Sequence, residues 1–260
     1  MKEALNQATI LLHSDLDRSM KSFAGSTSWR NDSFFPPSGG GIFGAGSLNY
    51  SPGWFQRLQE VRPVSFWYRI SLMFPLNLKQ LTDNLYVSTA LKTDAAAKFI
   101  EASACVEVLC NAMTALTAPQ QYDIGLTAVQ RIKDGQSLHR KHPIVNAWIS
   151  VWSGFAVIVN RATALHRDWG GSATHFDSLF SAGTHTNCNL DVPDIGATFS
   201  YLPGTGVAIV GKVLRHRVKV WEGGERICQA QFMKDAVHDR LGLPKPTWVN
   251  YDDYIGLTSI

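Results

Sequence analysis

Four residues between positions 160 and 234 have the types and spacing that metal chemistry requires: His166, Asp168, His216 and Arg226. His166 and Asp168 are two residues apart in a segment that reads as a β-strand, so both side chains are expected on the same face. His216, on another predicted strand, would supply a third ligand. Two imidazoles and one carboxylate, with the other metal positions left open, form the facial triad of non-haem Fe(II) oxygenases.

Arg226 follows His216 by ten residues, which leaves room for a strand, a turn at 222–224 and a returning strand. A guanidinium binds a carboxylate through two parallel hydrogen bonds. Arg226 is therefore predicted to hold the far carboxylate of 2-oxoglutarate, whose keto-acid end would chelate the iron. The period of two in a strand predicts further pocket-facing side chains on this segment, namely Cys228, Ala230, Phe232 and Lys234.

Other readings of these residues remain open at the level of sequence. His175 and Asp177 have the same spacing in another strand-like segment, and facing alone does not exclude them. His13 and Asp15 fall on a helical pattern, where positions two apart diverge. A purely structural role for all of these histidines is a further alternative.

Two nucleotide-binding motifs are incomplete. The "HRD" at 166–168 resembles a kinase catalytic loop, but Ala173 occupies the position of the metal-binding Asn. The "GVAIVGKV" from Gly206 has Val213 where a phosphate-binding loop needs Ser or Thr.

The composition predicts an ordinary globular chain. Of its 260 residues 45% are hydrophobic and 17% are charged, enough to bury a large core in one domain. The net charge of +3 gives no general attraction to nucleic acid, so such binding would depend on local clusters. The four cysteines have no zinc spacing and are expected to be reduced thiols. The longest apolar run, 145–159, is too short and too broken to span a bilayer, and it predicts two core strands around Ser153-Gly154.

The order of patterns along the chain predicts an α+β fold. Helices are expected over 1–23, 93–118 and Gln120–Lys133, a strand over Pro63–Phe74, and an ordered loop without regular structure over 25–53. From Val145 to Met233 short strands alternate with turns, which favours a double-stranded β-helix, or jelly roll, buttressed by the helices. The chain is expected to form a single catalytic domain, 1–260. Within it we distinguish an N-terminal extension (1–140), a core (145–235) and an extended tail (241–260).

The segments "VNRATALHRD", "FDSLFSAG", "LDVPDIGATFSYLPGTGVAIVGKVLRHRV" and "GERICQAQFMKDAVHDRLG" together resemble the fungal branch of the TET/J-binding-protein family. These are Fe(II)- and 2-oxoglutarate-dependent dioxygenases that oxidise modified bases in nucleic acid, and the resemblance covers roughly 148–242. It implies that the first ligand pair is His166/Asp168, that O2 is consumed and ascorbate serves as reductant, and that the partner is methylated double-stranded DNA in the nucleus. A monomer that does not bind membranes is expected.

The resemblance also implies substrate contacts, and here the chain departs from the family. Phe232 is expected to stack on a flipped-out base, and Arg161, five residues before His166, to lie against it; Asn84 is a further candidate. Relatives that act on 5-methylcytosine carry polar readers of the base edge where this chain has Gly171 and Lys234. The expected reaction is oxidation of 5-methylcytosine to 5-hydroxymethylcytosine and further products. The alternatives are demethylation of 6-methyladenine, oxidation of another methylated nucleic acid, oxidation of a protein or a small molecule, and binding of nucleic acid without catalysis.

Two basic clusters are candidate contacts to a phosphate backbone. One is "HRKHP" at His139–Pro143, and the other is the outward stripe of Arg215, Arg217 and Lys219 beside the inward-facing Leu214, His216 and Val218. The alternative for both is an ordinary solvated surface.

Overall fold

A computed structural model describes residues 1–24, 31–35, 41–54, 84–168 and 170–250. Within these ranges the chain forms six α-helices: α1 (Lys2–Ile10), α2 (His13–Phe23), α3 (Asp94–Ala102), α4 (Ala104–Thr117), α5 (Pro119–Lys133) and α6 (Asp235–Arg240). The same ranges hold ten strands: β1 (Gly46–Tyr50), β2 (Gly154–Val159), β3 (Thr163–His166), β4 (Asp177–Gly183), β5 (Asn187–Val192), β6 (Ala197–Ser200), β7 (Gly206–Ile209), β8 (His216–Val218), β9 (Trp221–Glu222) and β10 (Arg226–Phe232).

The strands form two antiparallel sheets. The larger sheet has the order β1-β2-β10-β4-β7, and the smaller has the order β3-β8-β5-β6, with β9 paired to β5. β10 pairs with β2 on one side and with β4 on the other, so the strand that carries Arg226 is fixed along both edges. The predicted mixture of helices and antiparallel sheets, the α+β class, is confirmed.

The helices cover one face of the larger sheet. Leu5 of α1, Leu12 between the helices and Leu16 of α2 are fully buried and belong to the same apolar cluster as Val157 of β2. Burial of each such side chain contributes roughly 1.5–3 kcal/mol. Asn6 of α1 also fixes the position of the helix on the sheet. Its side-chain amide accepts from the backbone N–H of Gly183 at 2.8 Å and donates to the carbonyl of Gly183 at 3.4 Å. One core therefore joins the N-terminal helices to the sheet.

Two predicted helices are each broken into two. The first breaks at 11–12 between α1 and α2, and the long helix breaks at Ser103 with a 61° bend between α3 and α4. The Ser103 hydroxyl donates to the Phe99 carbonyl at 2.7 Å, a side-chain bond of the kind that bends helices. The predicted start is correct, since the Thr93 hydroxyl accepts from the N–H of Ala96 at 3.1 Å. The helix expected at Gln120–Lys133 is confirmed as α5.

The structure corrects two further predictions of local structure, and a third lies outside the described residues. The loop expected over 25–53 contains strand β1, whose pairing with β2 could not be read from local sequence. The run at 145–159 forms one strand and not two, because its first part begins as a 3-10 helix (Pro143–Ala147) and then buries Trp148 and Trp152. The strand expected at Pro63–Phe74 lies outside the described residues, as does 251–260, while 243–250 has no regular structure.

In the described part of the chain, no single helix has the length and apolar character to cross a bilayer; the bent pair α3 and α4 would have them only in combination.

Candidate functional site

The smaller sheet brings the predicted iron ligands together. His166 ends β3 and His216 begins β8, and the two are cross-strand partners with ring centroids 4.4 Å apart. The Asp168 carboxylate reaches both rings, with Oδ1 3.6 Å from His166 Nε2 and Oδ2 3.5 Å from His216 Nε2. Among the described residues this is the one group of three or more His, Cys, Asp or Glu whose ligand atoms all lie within 4.8 Å of one another.

Asp168 reaches this position differently from the prediction. It lies two residues beyond the end of β3, so the alternation of a strand does not orient it. Its backbone N–H donates to the carbonyl of Gly211 at 2.8 Å, which ties the segment after β3 to the loop that precedes β8. The spacing identified the residue, but a loop-to-loop hydrogen bond positions it.

The backbone also fixes the orientation of both imidazoles. His166 Nδ1 lies 2.9 Å from the carbonyl of Ala164, and His216 Nδ1 lies 3.1 Å from the carbonyl of Leu214. A carbonyl accepts only from a protonated nitrogen, so each Nδ1 carries the hydrogen and each Nε2 is left as a lone-pair donor. Burial, and then the neighbouring His166, lower the pKa of His216 and favour its neutral form. Neutral imidazoles held in this way are the form that binds a divalent metal.

The competing pair, His175 and Asp177, is separated in the structure. The His175 ring is buried against the His238 ring, with centroids 5.1 Å apart, whereas Asp177 lines the same cavity as Asp168. Burial, and then the nearby Asp168, raise the pKa of Asp177 well above its usual range. The two residues therefore do not converge on one ion.

A cavity of about 440 Å³ lies between the sheets and is lined by all three candidate ligands. The predicted pocket face of β10 is correct, because the cavity is lined by Arg226, Cys228, Ala230, Phe232 and Lys234. The opposite face of β10 carries Ile227, which lies in the apolar core, and two glutamines, of which Gln231 also lines the cavity. There Gln229 and Gln231 both donate to the carboxyl group of Glu107 on α4, and burial raises the pKa of Glu107 to about 7.

Arg226 is a buried guanidinium, 3% exposed. Its Nη1 donates to the carbonyl of Arg161 at 3.0 Å, and its Cζ lies 5.6 Å from the centroid of the Tyr201 ring. Its Nε has no hydrogen-bond partner, and within the described ranges no carboxylate forms an ion pair with it. A buried cation without a counter-ion is costly, so the site is suited to a carboxylate ligand. These residues fit 2-oxoglutarate.

The structure brings three of the four predicted substrate contacts to this cavity. Phe232, Lys234 and Arg161 line it, but Asn84 does not. Asn84 precedes Leu85, whose backbone pairs with the segment after α5 through bonds to Ser137 and His139. The sequence reasoning missed several lining residues: Ser47 and Asn49 on β1, Trp54, and Asp177. Only Asp177 carried a signal, the second His-x-Asp spacing.

Most residues of the two basic clusters are exposed, but Arg217, predicted to face outward, is half-buried and lines the cavity. Arg215 and Arg167 both bind Asp194, with shortest distances of 2.6 and 3.1 Å, and Arg217 binds Asp191 at 2.9 Å. The hydrogen bond from Arg215 lowers the pKa of Asp194 to about 2. Most of the outward stripe is therefore neutralised by carboxylates, which favours the solvated reading. In the 139–143 cluster His142 caps a 3-10 helix, and a phosphate contact there stays a prediction.

No protein-family model matches this sequence, and no curated protein matches it. The solved structure of NgTET1 in complex with 5mC DNA is similar at 14% identity over 67% of this chain and 63% of that chain, with a TM-score of 0.47. This chain thus spans less than two thirds of that protein. Two further solved structures match. One is a Cupin 2 conserved barrel domain protein from Salinispora arenicola, at 16% identity over 34% of this chain and 69% of that chain, with a TM-score of 0.23. The other is ectoine synthase from P. lautus, at 13% identity over 37% of this chain and 65% of that chain, with a TM-score of 0.22.

Proposed function

We propose that this chain is an Fe(II)- and 2-oxoglutarate-dependent dioxygenase that oxidises the methyl group of a methylated base in DNA. The observation that carries the proposal is one cavity holding two kinds of site. His166, Asp168 and His216 supply metal ligands, and the buried Arg226 supplies an anion site. Fe(II), when bound, supplies activation of O2 coupled to the oxidative decarboxylation of 2-oxoglutarate.

The residues around the two sites have separate tasks. Arg226 would hold the far carboxylate of 2-oxoglutarate and so direct its keto-acid end towards the His–Asp group. Ala156 and Ala230 are cross-strand neighbours that both line the cavity, and their small side chains leave room above the larger sheet. Phe232 offers an aromatic face, on which any base can stack. A methyl group within a duplex is out of reach, so the base must leave the helix to enter.

The sequence resemblance supplies the substrate class. We propose 5-methylcytosine as the target, oxidised to 5-hydroxymethylcytosine and beyond, within a double-stranded β-helix core and a single catalytic domain that acts as a monomer in the nucleus. Gly171 and Lys234, in place of polar edge readers, make 6-methyladenine the alternative, since hydroxylation of its N-methyl group would release formaldehyde.

The test is incubation with duplex oligonucleotides that contain either base, together with Fe(II), 2-oxoglutarate, ascorbate and air, followed by mass spectrometry of the nucleosides and a formaldehyde assay. We expect 5-hydroxymethylcytosine from the wild-type protein and from His13→Ala, a matched control on exposed α2. We expect none from His166→Ala. If methylated DNA is unchanged while 2-oxoglutarate is still decarboxylated, the substrate is another methylated nucleic acid, a protein or a small molecule. If neither occurs, the chain is a binding protein.

A further inference from the structure

The 139–143 cluster carries positive charge that neither the metal site nor the cosubstrate site uses. Its two permanent cations, Arg140 and Lys141, are exposed, and within the described part of the chain neither forms an ion pair. Segment 131–142 has four Lys or Arg residues and one acidic residue, so its formal charge of +3 equals that of the whole chain. The 215–219 stripe differs, because carboxylates bind its arginines. Arg140 and Lys141 are therefore available to an anion from outside the chain.

Two short backbone pairings tie this cluster to the cavity wall. Trp54, which lines the cavity, exchanges two backbone hydrogen bonds with Tyr86, at 2.6 and 2.8 Å. The adjacent Leu85 pairs in the opposite direction, where its carbonyl accepts from the N–H of His139 at 2.9 Å. The rings of Tyr86 and His139 have centroids 5.0 Å apart. Paired backbones lie about 4.8 Å apart, so the cluster begins about 10 Å from Trp54.

Trp54 lies at the end of the cavity that opens to the surface. Its ring centroid is 6.2 Å from that of Phe232, which ends β10 at the opposite end from Arg226. The ammonium group of Lys234 lies 3.7 Å from the centroid of the Trp54 ring. A Cβ on Gly170 would lie 3.8–3.9 Å from the end of the same lysine, and Gly170 both lines the cavity and is exposed. The 139–143 cluster therefore flanks the opening, on the side that Trp54 forms.

The chemistry of the cluster fits a polyanion that stays in solvent. Lys and Arg side chains donate hydrogen bonds and accept none, so their ligand must present acceptor oxygens. A single small anion gains little at exposed cations, whereas a nucleic-acid strand releases its condensed counterions when Lys and Arg bind it. A DNA strand carries one phosphate for about every 3.4 Å of helix axis, so 10 Å corresponds to about three nucleotides. A strand whose base is stacked on Phe232 would bring its neighbouring phosphates to the cluster.

We propose that Arg140 and Lys141 bind the phosphate backbone of the DNA about three nucleotides from the base that enters the cavity. Contacts of this kind fix the position of a protein on the strand without reading its sequence. The paired segments between Trp54 and His139 set the spacing between the two sites. The inference rests on the proposed function, and it names the surface that holds the substrate outside the cavity.

The first experiment measures the affinity for a 5-methylcytosine duplex by fluorescence anisotropy over a series of salt concentrations. The variant combines Arg140→Gln with Lys141→Gln. Its control combines Lys92→Gln with Lys98→Gln, which removes the same charge from two exposed positions that do not line the cavity. The slope of log Kobs against log salt should be smaller by about 1.8 in the variant, 0.9 for each contact, and unchanged in the control. Arg140→Lys combined with Lys141→Arg should keep the wild-type slope.

The second experiment locates the contact on the DNA. In a series of 5-methylcytosine duplexes, each phosphate near the target is replaced singly by an uncharged methylphosphonate. For the wild-type protein kcat/KM should fall about five-fold, the upper range for an exposed charge pair, at positions about three nucleotides from the target. The double variant should lose at least that factor on the unmodified duplex and nothing further when those phosphates are neutralised. Its Tm and its decarboxylation of 2-oxoglutarate without DNA should be unchanged; if its Tm is lowered, the wild-type series decides alone.

The outcomes separate this surface from the proposed function. If the duplex is oxidised but no methylphosphonate about three nucleotides from the target slows the wild-type protein, the surface assignment is wrong and the proposed function stands. If the duplex is bound through the cluster but never oxidised, the proposed function is wrong and the nucleic-acid surface stands. If the wild-type protein does not bind the duplex, both are wrong, and binding of an acidic peptide that the double variant loses would assign the cluster to a protein partner.

Discussion

Replacing Gly211 with Ala should weaken metal binding without disturbing the backbone. Gly211 lies in the loop before β8, and its φ is not in the left-handed region, so alanine can adopt its conformation. The added Cβ would lie 2.5 Å from Asp177 Oδ2, 2.8 Å from Asp168 Oδ2 and 3.4 Å from His216 Cε1. The substitution therefore acts on one candidate ligand and its neighbour through contact alone.

The magnitude follows from these distances. Ordinary contact begins near 3.4 Å, so the Asp168 oxygen must move by about 0.6 Å and the Asp177 oxygen by about 0.9 Å. Asp168 cannot retreat freely, because its N–H is bonded to the carbonyl of Gly211 itself. Displacement of groups that orient a metal ligand typically lowers affinity 10–100-fold, or about 1.4–2.8 kcal/mol. We expect an effect of this size on Fe(II) affinity.

The assay is anaerobic calorimetric titration of Fe(II) into wild-type and variant protein. Gly171→Ala is the matched control, since among the described residues its Cβ meets only the Met233 carbonyl at 3.7 Å. Its Fe(II) affinity should equal that of the wild type. Unchanged Fe(II) affinity in a folded Gly211→Ala protein would refute the reasoning, because it would mean that Asp168 is not held at the metal by this loop.

Three further predictions concern buried charge. Arg226→Lys keeps the charge but loses the two-pronged geometry, so binding of 2-oxoglutarate should weaken by about 2 kcal/mol, which is about 30-fold in Kd, as measured by calorimetry. An unchanged Kd would contradict the assignment. Burial raises the pKa of Glu107 to about 7, so the folded chain keeps a proton that the unfolded chain releases above about pH 4.5. The free energy of unfolding should therefore fall by about 3 kcal/mol as the pH rises from about 4.5 to 7. Denaturant titrations at pH 5 and 8.5 should show the fall in the wild type and not in Glu107→Gln. Burial lowers the pKa of His238 to about 3, so only the unfolded chain binds a proton at this residue between pH 3 and 6.5. Stability should therefore decrease as the pH falls through that range. His238→Asn should weaken this dependence of stability on pH in urea titrations, and an equal dependence in the variant would count against the prediction.

Local patterns predicted those features that depend on near neighbours. The His-x-Asp spacing nominated His166 and Asp168, which the structure brings together with His216, although the same spacing also nominated His175 and Asp177. Alternation along β10 placed Phe232 on the same face as Arg226. The mechanism of placement was wrong for Asp168, because the hydrogen bond to Gly211 joins residues more than forty positions apart. Spacing can nominate a ligand, but it cannot show which loop holds it.

Features that depend on distant partners could not be predicted. β1 is a strand because it lies beside β2, more than a hundred residues later, and its own sequence GSLNY gives little sign of this. The contact between Trp54 and Lys234 has the same origin. Asn84 was a candidate from outside the motif, and among the described residues it is not part of the cavity lining. Helical periodicity does not register the break at Ser103, and the hydroxyl bond seen there also occurs at Thr114, where α4 continues.

The division of the site between the two sheets has a consequence for motion. His166 and His216 belong to strands of four and three residues in the smaller sheet, whereas Arg226 belongs to a seven-residue strand in the larger one. A small molecule that touches both groups fastens the two layers together. If the proposed cosubstrate is consumed in each turnover, the two sheets would be linked only while it is bound. Amide hydrogens of the short strands should then exchange with solvent more slowly when the cosubstrate is supplied in excess.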